Sequence, residues 1–147
     1  MNVFRITTAQ WCKSLTASGY PARWSAKGRF VIYTAGSRAL ACLENLVHRS
    51  GEGNNALYKV MIIEIPDTVA VEVLDETQLK KDWHTIDNYV YCQSLGSKWL
   101  NEAESAVLKV PSVVIKKEHN YLINPSHPDF SKITLIGNEG FDFDRRF

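Results

Sequence analysis

The sequence predicts an α+β fold in a single domain covering residues 1–147, with strand-rich mixed sheets and a few helices. Three observations carry that expectation. Strand-like runs recur along the whole chain, and only two or three segments have helical periodicity. The two kinds do not alternate as regular βαβ units. Finally, 147 residues make one ordinary domain, able to bury roughly 68–70% of its unfolded surface without disulfides or metal.

The elements follow in order. Phe4 and Ile6 flank Arg5 in an alternating start, which predicts a first strand. Trp11 to Leu15 reads as a short helix before Gly19-Tyr20-Pro21, and Phe30-Val31-Ile32-Tyr33 as a strand that ends by Gly36. From Ser37, a good N-cap type, to about His48 the spacing predicts a helix. There Ala39, Leu40, Leu43, Leu46 and Val47 span an arc of about 120°, and Glu44 falls about 40° past Leu40, on the border. Leu57 to Ile65 is a long apolar strand stopped by Pro66, and Val69, Val71 and Val73 alternate as another. Asn88 to Ala103 reads as a helix weakened in the middle by Gly96. Ala106–Val110 and Val113–Ile115 read as strands interrupted by Pro111, placing Ser112 at a break. Tyr121-Leu122-Ile123, Ile133–Ile136 and Phe141–Asp144 complete a β-rich second half.

Composition removes several function classes. Hydrophobic residues make up 45% and charged ones 22%, typical of a soluble globular chain and too apolar for a disordered one. The net charge of +1 is poor support for direct nucleic-acid binding, which draws its affinity from clustered Lys and Arg. No run of about 18 apolar residues predicts a membrane span. Arg5 stands where a signal peptide's apolar core would begin. Cys12, Cys42 and Cys92 form neither an even set nor a Cys-x-x-Cys, so the expectation is a reducing cytoplasm, with no disulfide framework and no metal. Walker A, dinucleotide-binding, nucleophile-elbow and His-Glu-x-x-His motifs are all missing.

What remains is dispersed: Arg5 in a strand, Arg23-Trp24 after a Gly-Tyr-Pro turn, Tyr33 ending a strand, Glu44 on a helix and Ser112 after Pro111. Singly, each has a plain reading as a surface pair, a core aromatic, a solvated acid or a turn residue. In series they form a pattern. Arg5, Gly19, Arg23-Trp24, Gly28, Tyr33 and Glu44 are followed by Ser97-x-Trp99-Leu100, Val110-Pro111-Ser112, Asn120-Tyr121 and Asn124-Pro125-x-His127-Pro128. This resembles the RES domain family, named for its Arg, Glu and Ser, from Arg5 to the terminal Asp144-Arg145-Arg146.

The resemblance implies a fold similar to ADP-ribosyltransferase toxins, and the toxin half of a bacterial toxin–antitoxin pair. It implies an Xre-type helix-turn-helix antitoxin that covers the active site. It also implies NAD as the substrate rather than a cofactor, cleaved at the nicotinamide–ribose bond by hydrolysis or by phosphorolysis, with phosphate as co-substrate. Mono-ADP-ribosyl transfer to a host protein and a non-catalytic nucleotide- or ADP-ribose-binding module remain the alternatives, and homodimerisation stays open.

The residue chemistry fits cleavage. An oxocarbenium-like transition state needs negative charge near the ribose and firm positioning, and the nicotinamide leaves neutral without a strong general acid. Glu44 supplies the carboxylate. Arg5 and Arg23 suit the pyrophosphate or phosphate through their planar forks. Tyr33 and Trp24 offer aromatic surface, and Ser112 a hydrogen bond to the ribose or the nicotinamide amide. The expected catalytic set is thus Glu44, Arg23, Tyr33 and Ser112, and the substrate-binding set Arg5, Arg23, Trp24, Tyr33 and Ser112.

Overall fold

A computed structural model describes residues 1–48 and 57–147. Its strands are β1 (Asn2–Thr8), β2 (Ile32–Ala35), β3 (Tyr58–Glu64), β4 (Val71–Val73), β5 (Val107–Pro111), β6 (His119–Ile123) and β7 (Thr134–Phe141). Two α-helices accompany them, α1 (Arg38–His48) between β2 and β3 and α2 (Tyr89–Glu102) between β4 and β5. The strands form one seven-stranded sheet in the order β4-β5-β6-β2-β1-β3-β7. Only β4 and β5 run parallel among the paired strands. That makes the sheet mixed and the fold α+β.

The apolar run of β3 is paired on both sides, because β1 and β7 pair along its whole length. Buried strands of this kind lack polar alternation, and Tyr58, Val60, Met61 and Ile63 are all buried. By contrast, β1 meets β2 at a single register position, Phe4 opposite Ala35. The two halves of the sheet therefore part on either side of that pair, and the space between them is where a ligand can enter.

Tyr33 and Ala35, two apart on β2, share the face that carries both helices. On it, α1 packs with Ile6, Ala35, Leu40, Ala41 and Val60. Beside it, α2 packs with Trp24, Trp83, Leu108, Val110 and Leu122. The opposite face holds Val3, Ile32, Met61, Ile63, Val107 and Ile123, covered by the segments bearing Cys12, Val69 and Ile133.

Several expected boundaries move. Trp11–Leu15 is not a helix: a single 3-10 turn covers Ala9–Trp11, and the Cys12 N–H closes it on the Ala9 carbonyl. Phe30 and Val31 precede β2 rather than belonging to it. Pro111 ends β5 instead of interrupting a longer strand. It is tolerated there because β4 stops opposite Lys109, so β5 has no partner on that side and no ladder N–H is missed. Val113–Ile115 is not a strand, because the Ser112 hydroxyl accepts the Val114 and Ile115 N–H groups and bends the chain. Phe141 closes β7, and Asp142 to Asp144 lie beyond it.

The helix wheel of α1 also turns. Its buried residues are Leu40 and Ala41, whereas Ala39 and Val47 are exposed. Glu44 lies angularly between Leu40 and Ala41. It therefore sits in the middle of the face turned to the sheet, not on the border of the apolar arc.

Gly96 has a reason that helix propensity does not show. A Cβ there would lie far inside contact distance of the Trp24 carbonyl oxygen. Its absence lets α2 lie directly on the turn that presents Arg23 and Trp24. The helix ends at Ala103, which takes a left-handed conformation (φ 50°).

Candidate active site

The parting of β1 from β2 opens a cleft of about 430 Å³, within the size range of small-molecule sites. Phe4 to Ile6 of β1 and Tyr33 to Ala35 of β2 line one side; Glu44, Val47 and His48 of α1 line another. The Arg23-Trp24 turn, Tyr89 at the start of α2, and Asn120 of β6 complete it.

Glu44 is the best-supported group in the cleft. Its side chain is 20% exposed. Oε1 accepts from the Ser112 hydroxyl at 2.9 Å and from the Asn120 amide Nδ2 at 2.7 Å. Oε2 faces His48 Nε2 at 3.3 Å, one helical turn on. Burial pushes the Glu44 pKa up, but hydrogen bonds from His48, Asn120 and Ser112 outweigh it. The carboxyl is held below its ordinary value. It is a half-buried carboxylate kept ionised by His48 on its own helix, Ser112 in the loop after β5 and Asn120 on β6.

The two arginines differ. Arg5 Nη1 donates to the Thr16 carbonyl at 2.8 Å, and its burial lowers its pKa from a value too high for the charge to be lost. Arg23 is more tightly built in. Nη1 donates to the Trp83 and Thr85 carbonyls at 3.0 and 3.2 Å, and Nη2 to the His84 carbonyl at 3.0 Å. Its guanidinium also lies 4.5 Å from the Tyr89 ring centroid. Much of the fork expected to hold phosphate is thus committed to main-chain carbonyls, while the positive charge stays at the cleft wall.

The aromatic pair also takes a different form. Trp24 borders the cleft but is only 4% exposed, with its ring 5.7 Å from that of Trp83 in the core under α2. It frames the site more than it offers a platform. The Tyr33 hydroxyl shares a hydrogen bond of 2.7 Å with Ser25 Oγ and accepts the Trp24 N–H at 3.3 Å. Burial, the main cause, pushes its pKa up to about 12. Its hydroxyl is tied to the Arg23 turn, which leaves the ring for the cleft.

Ser112 is displaced from its expected place. It is 2% exposed and does not line the cleft; it stands behind Glu44. Sequence reasoning missed Asn120, Tyr89 and His48 as site residues. Asn120 sits in the quoted Asn-Tyr segment and His48 follows Glu44 by four positions, a spacing that places both on one helix face. Tyr89 carried no signal, since only the fold brings it to Arg23. Among the described residues no group of three His, Cys, Asp or Glu side chains could hold a metal ion, and no helix is long and apolar enough to cross a membrane.

Comparison with known proteins shows the family. The RES domain family matches residues 2–145. The chain belongs to the RES family. A RES protein from Photorhabdus laumondii, named Toxin Res, is 31% identical over 99% of this chain and 96% of its own length. The Prs ADP-ribosylating toxin of a Sphingobium species is 40% identical over 73% of this chain and 68% of its own. In structure, the chain is similar to one in the Mycobacterium tuberculosis MbcT–MbcA toxin–antitoxin complex, with a TM-score of 0.78 at 18% identity, covering 96% of this chain and 84% of that one. At that identity the likeness is one of fold, and it agrees with the α+β architecture described above.

Proposed function

We propose that this RES protein is the toxin of a toxin–antitoxin pair and that it cleaves the nicotinamide–ribose bond of NAD. The observation that carries the reading is Glu44, a carboxylate kept ionised by three donors at a cleft that also presents Arg5 and Arg23. Negative charge fixed beside a ribose stabilises an oxocarbenium-like transition state and needs no reorganisation as charge develops. Arg5 and Arg23 supply positive charge for the pyrophosphate, and the ring of Tyr33 supplies apolar surface for nicotinamide. Nicotinamide departs as a neutral base, and the ribose carbon is taken by water or by phosphate. NAD is thus substrate, and no cofactor enters the scheme.

One relative's name favours a second acceptor. The Sphingobium protein is called an ADP-ribosylating toxin, and the same cleavage with a protein nucleophile is ADP-ribosyl transfer. Control falls to a partner. Val47, Ile86 and Val113 line the cleft and are 62%, 82% and 41% exposed, an apolar rim suited to an antitoxin segment that closes the entrance. Following the family resemblance, that partner is an Xre-type helix-turn-helix protein.

The test is to incubate antitoxin-free protein with NAD, with and without phosphate, and to identify the products. Release of nicotinamide is expected, faster with phosphate if phosphorolysis operates. Intact NAD after hours defeats the reading.

A further inference from the structure

We infer that Asn120 is a positioning residue which, with Ser112, pins Oε1 of Glu44 and so leaves Oε2 as the oxygen presented to a ligand. The inference rests on the reading of Glu44 as the acting carboxylate and adds a residue to it.

Both donors converge on one oxygen, Asn120 Nδ2 at 2.7 Å and Ser112 Oγ at 2.9 Å. Neither donor is free to turn away. The Ser112 hydroxyl already accepts the Val114 and Ile115 N–H groups at 3.0 and 3.1 Å, so its single proton is directed at Glu44. Asn120 is fixed by its strand: β6 pairs with β2 at Ala35 and with β5 at Val110, the two residues on either side of it. Its amide must point NH₂ toward Glu44, because a carboxylate only accepts. Among the described residues Oε2 meets only His48, which stands at the exposed end of α1.

The other end of the amide, Oδ1, has no hydrogen-bond partner among the described residues, so the contact with Glu44 is the bond that orients the Asn120 side chain.

The test reads Glu44 directly. Protein with ¹³C-labelled glutamate carboxyls is titrated by NMR as wild type, Asn120→Ser and Asn120→Asp, the second of nearly unchanged shape, with the Glu44 signal assigned by its loss in Glu44→Gln. Other ionisable groups lining the cleft, His48, Arg5, Arg23, Tyr33 and Tyr89, are the same in all three proteins. The wild-type Glu44 carboxyl should titrate below the ordinary glutamate range. It should move up in Asn120→Ser and further in Asn120→Asp, where two carboxyls compete for one site. NAD turnover should show kcat lower by roughly ten- to a hundredfold with KM little changed, since the contact acts on orientation rather than on binding. The acid limb of the pH profile should move up with the NMR titration.

An unmoved Glu44 titration in either folded variant overturns the inference, as does loss of folding in both. The underlying reading fails separately: if Glu44→Gln turns over NAD like wild type, the cleavage scheme is wrong, and the titration still decides whether Asn120 sets the carboxylate.

Discussion

Replacing Arg23 with lysine separates two roles that the sequence assigned to one residue. The guanidinium makes three hydrogen bonds to the Trp83, His84 and Thr85 carbonyls and lies over the Tyr89 ring. A lysine ammonium is a point donor and cannot span carbonyls from three consecutive residues. At least two bonds should be lost. Hydrogen bonds to charged groups contribute about 1.5–3 kcal/mol each. The His84 bond is solvent-exposed, so its carbonyl is recovered by water and adds little. Discounting for that recovery, Arg23→Lys should destabilise the fold by about 2–3 kcal/mol. For a chain of this size that is roughly 4–12 °C in Tm. Thermal unfolding beside NAD kinetics at a temperature where both proteins are folded is the assay. The expected result is a lower Tm together with a raised KM for NAD. An unchanged Tm with KM still raised would mean that the carbonyl cradle is not holding the turn and that Arg23 serves the ligand alone. An unchanged Tm and unchanged kinetics would remove it from both.

Other outcomes follow from the same geometry. Tyr33→Phe keeps the ring but drops the Ser25 and Trp24 contacts; it should cost about 1–2 kcal/mol in urea unfolding and loosen the Arg23 turn. Gly96→Ala should destabilise despite alanine's better helix propensity, because its Cβ meets the Trp24 carbonyl; a higher Tm would mean that α2 does not rest on that turn. Glu44 has a lowered folded pKa. Its interactions therefore stabilise the fold above the unfolded carboxylate value, and that contribution is lost as pH falls through the lower folded value. Urea unfolding of wild type and Glu44→Gln across the acidic range should show their stability difference changing in that window, and a constant difference would contradict it.

The placement of β3 and α1 was legible because β3 is a plain apolar run and α1 carries a capping serine, whose hydroxyl accepts the Leu40 N–H at 3.1 Å. The face that α1 buries was not. Val47 and Leu46 read as core by periodicity, yet the wheel is set by which side meets β1 and β2, a tertiary fact. The same holds at Gly96, where a weak helix residue is a packing requirement. At the site, charge type was readable: Glu44, Arg5 and Arg23 do meet at one cleft. Their partners were not, because a main-chain carbonyl such as that of His84 leaves no mark in a side-chain sequence. Ser112 shows the limit most clearly. Its position after Pro111 marked a break in the strand, but only the fold reveals that its hydroxyl bends the loop and serves Glu44 from behind.

In the proposed cleavage Glu44 is the group that acts on the bound nucleotide, and the most direct measurement compares NAD turnover with thermal unfolding in wild type and Glu44→Ala. Alanine favours the helix by a few tenths of a kcal/mol and removes a partly desolvated charge, while Ser112 and Asn120 lose their shared acceptor. Leaving those buried donors unpaired outweighs the helix gain, so Tm should fall by several degrees with the protein still folded at the assay temperature. Nicotinamide release should fall by about two to three orders of magnitude, the scale of losing one preorganised contact to a developing charge. A folded Glu44→Ala protein that releases nicotinamide at the wild-type rate would contradict the account.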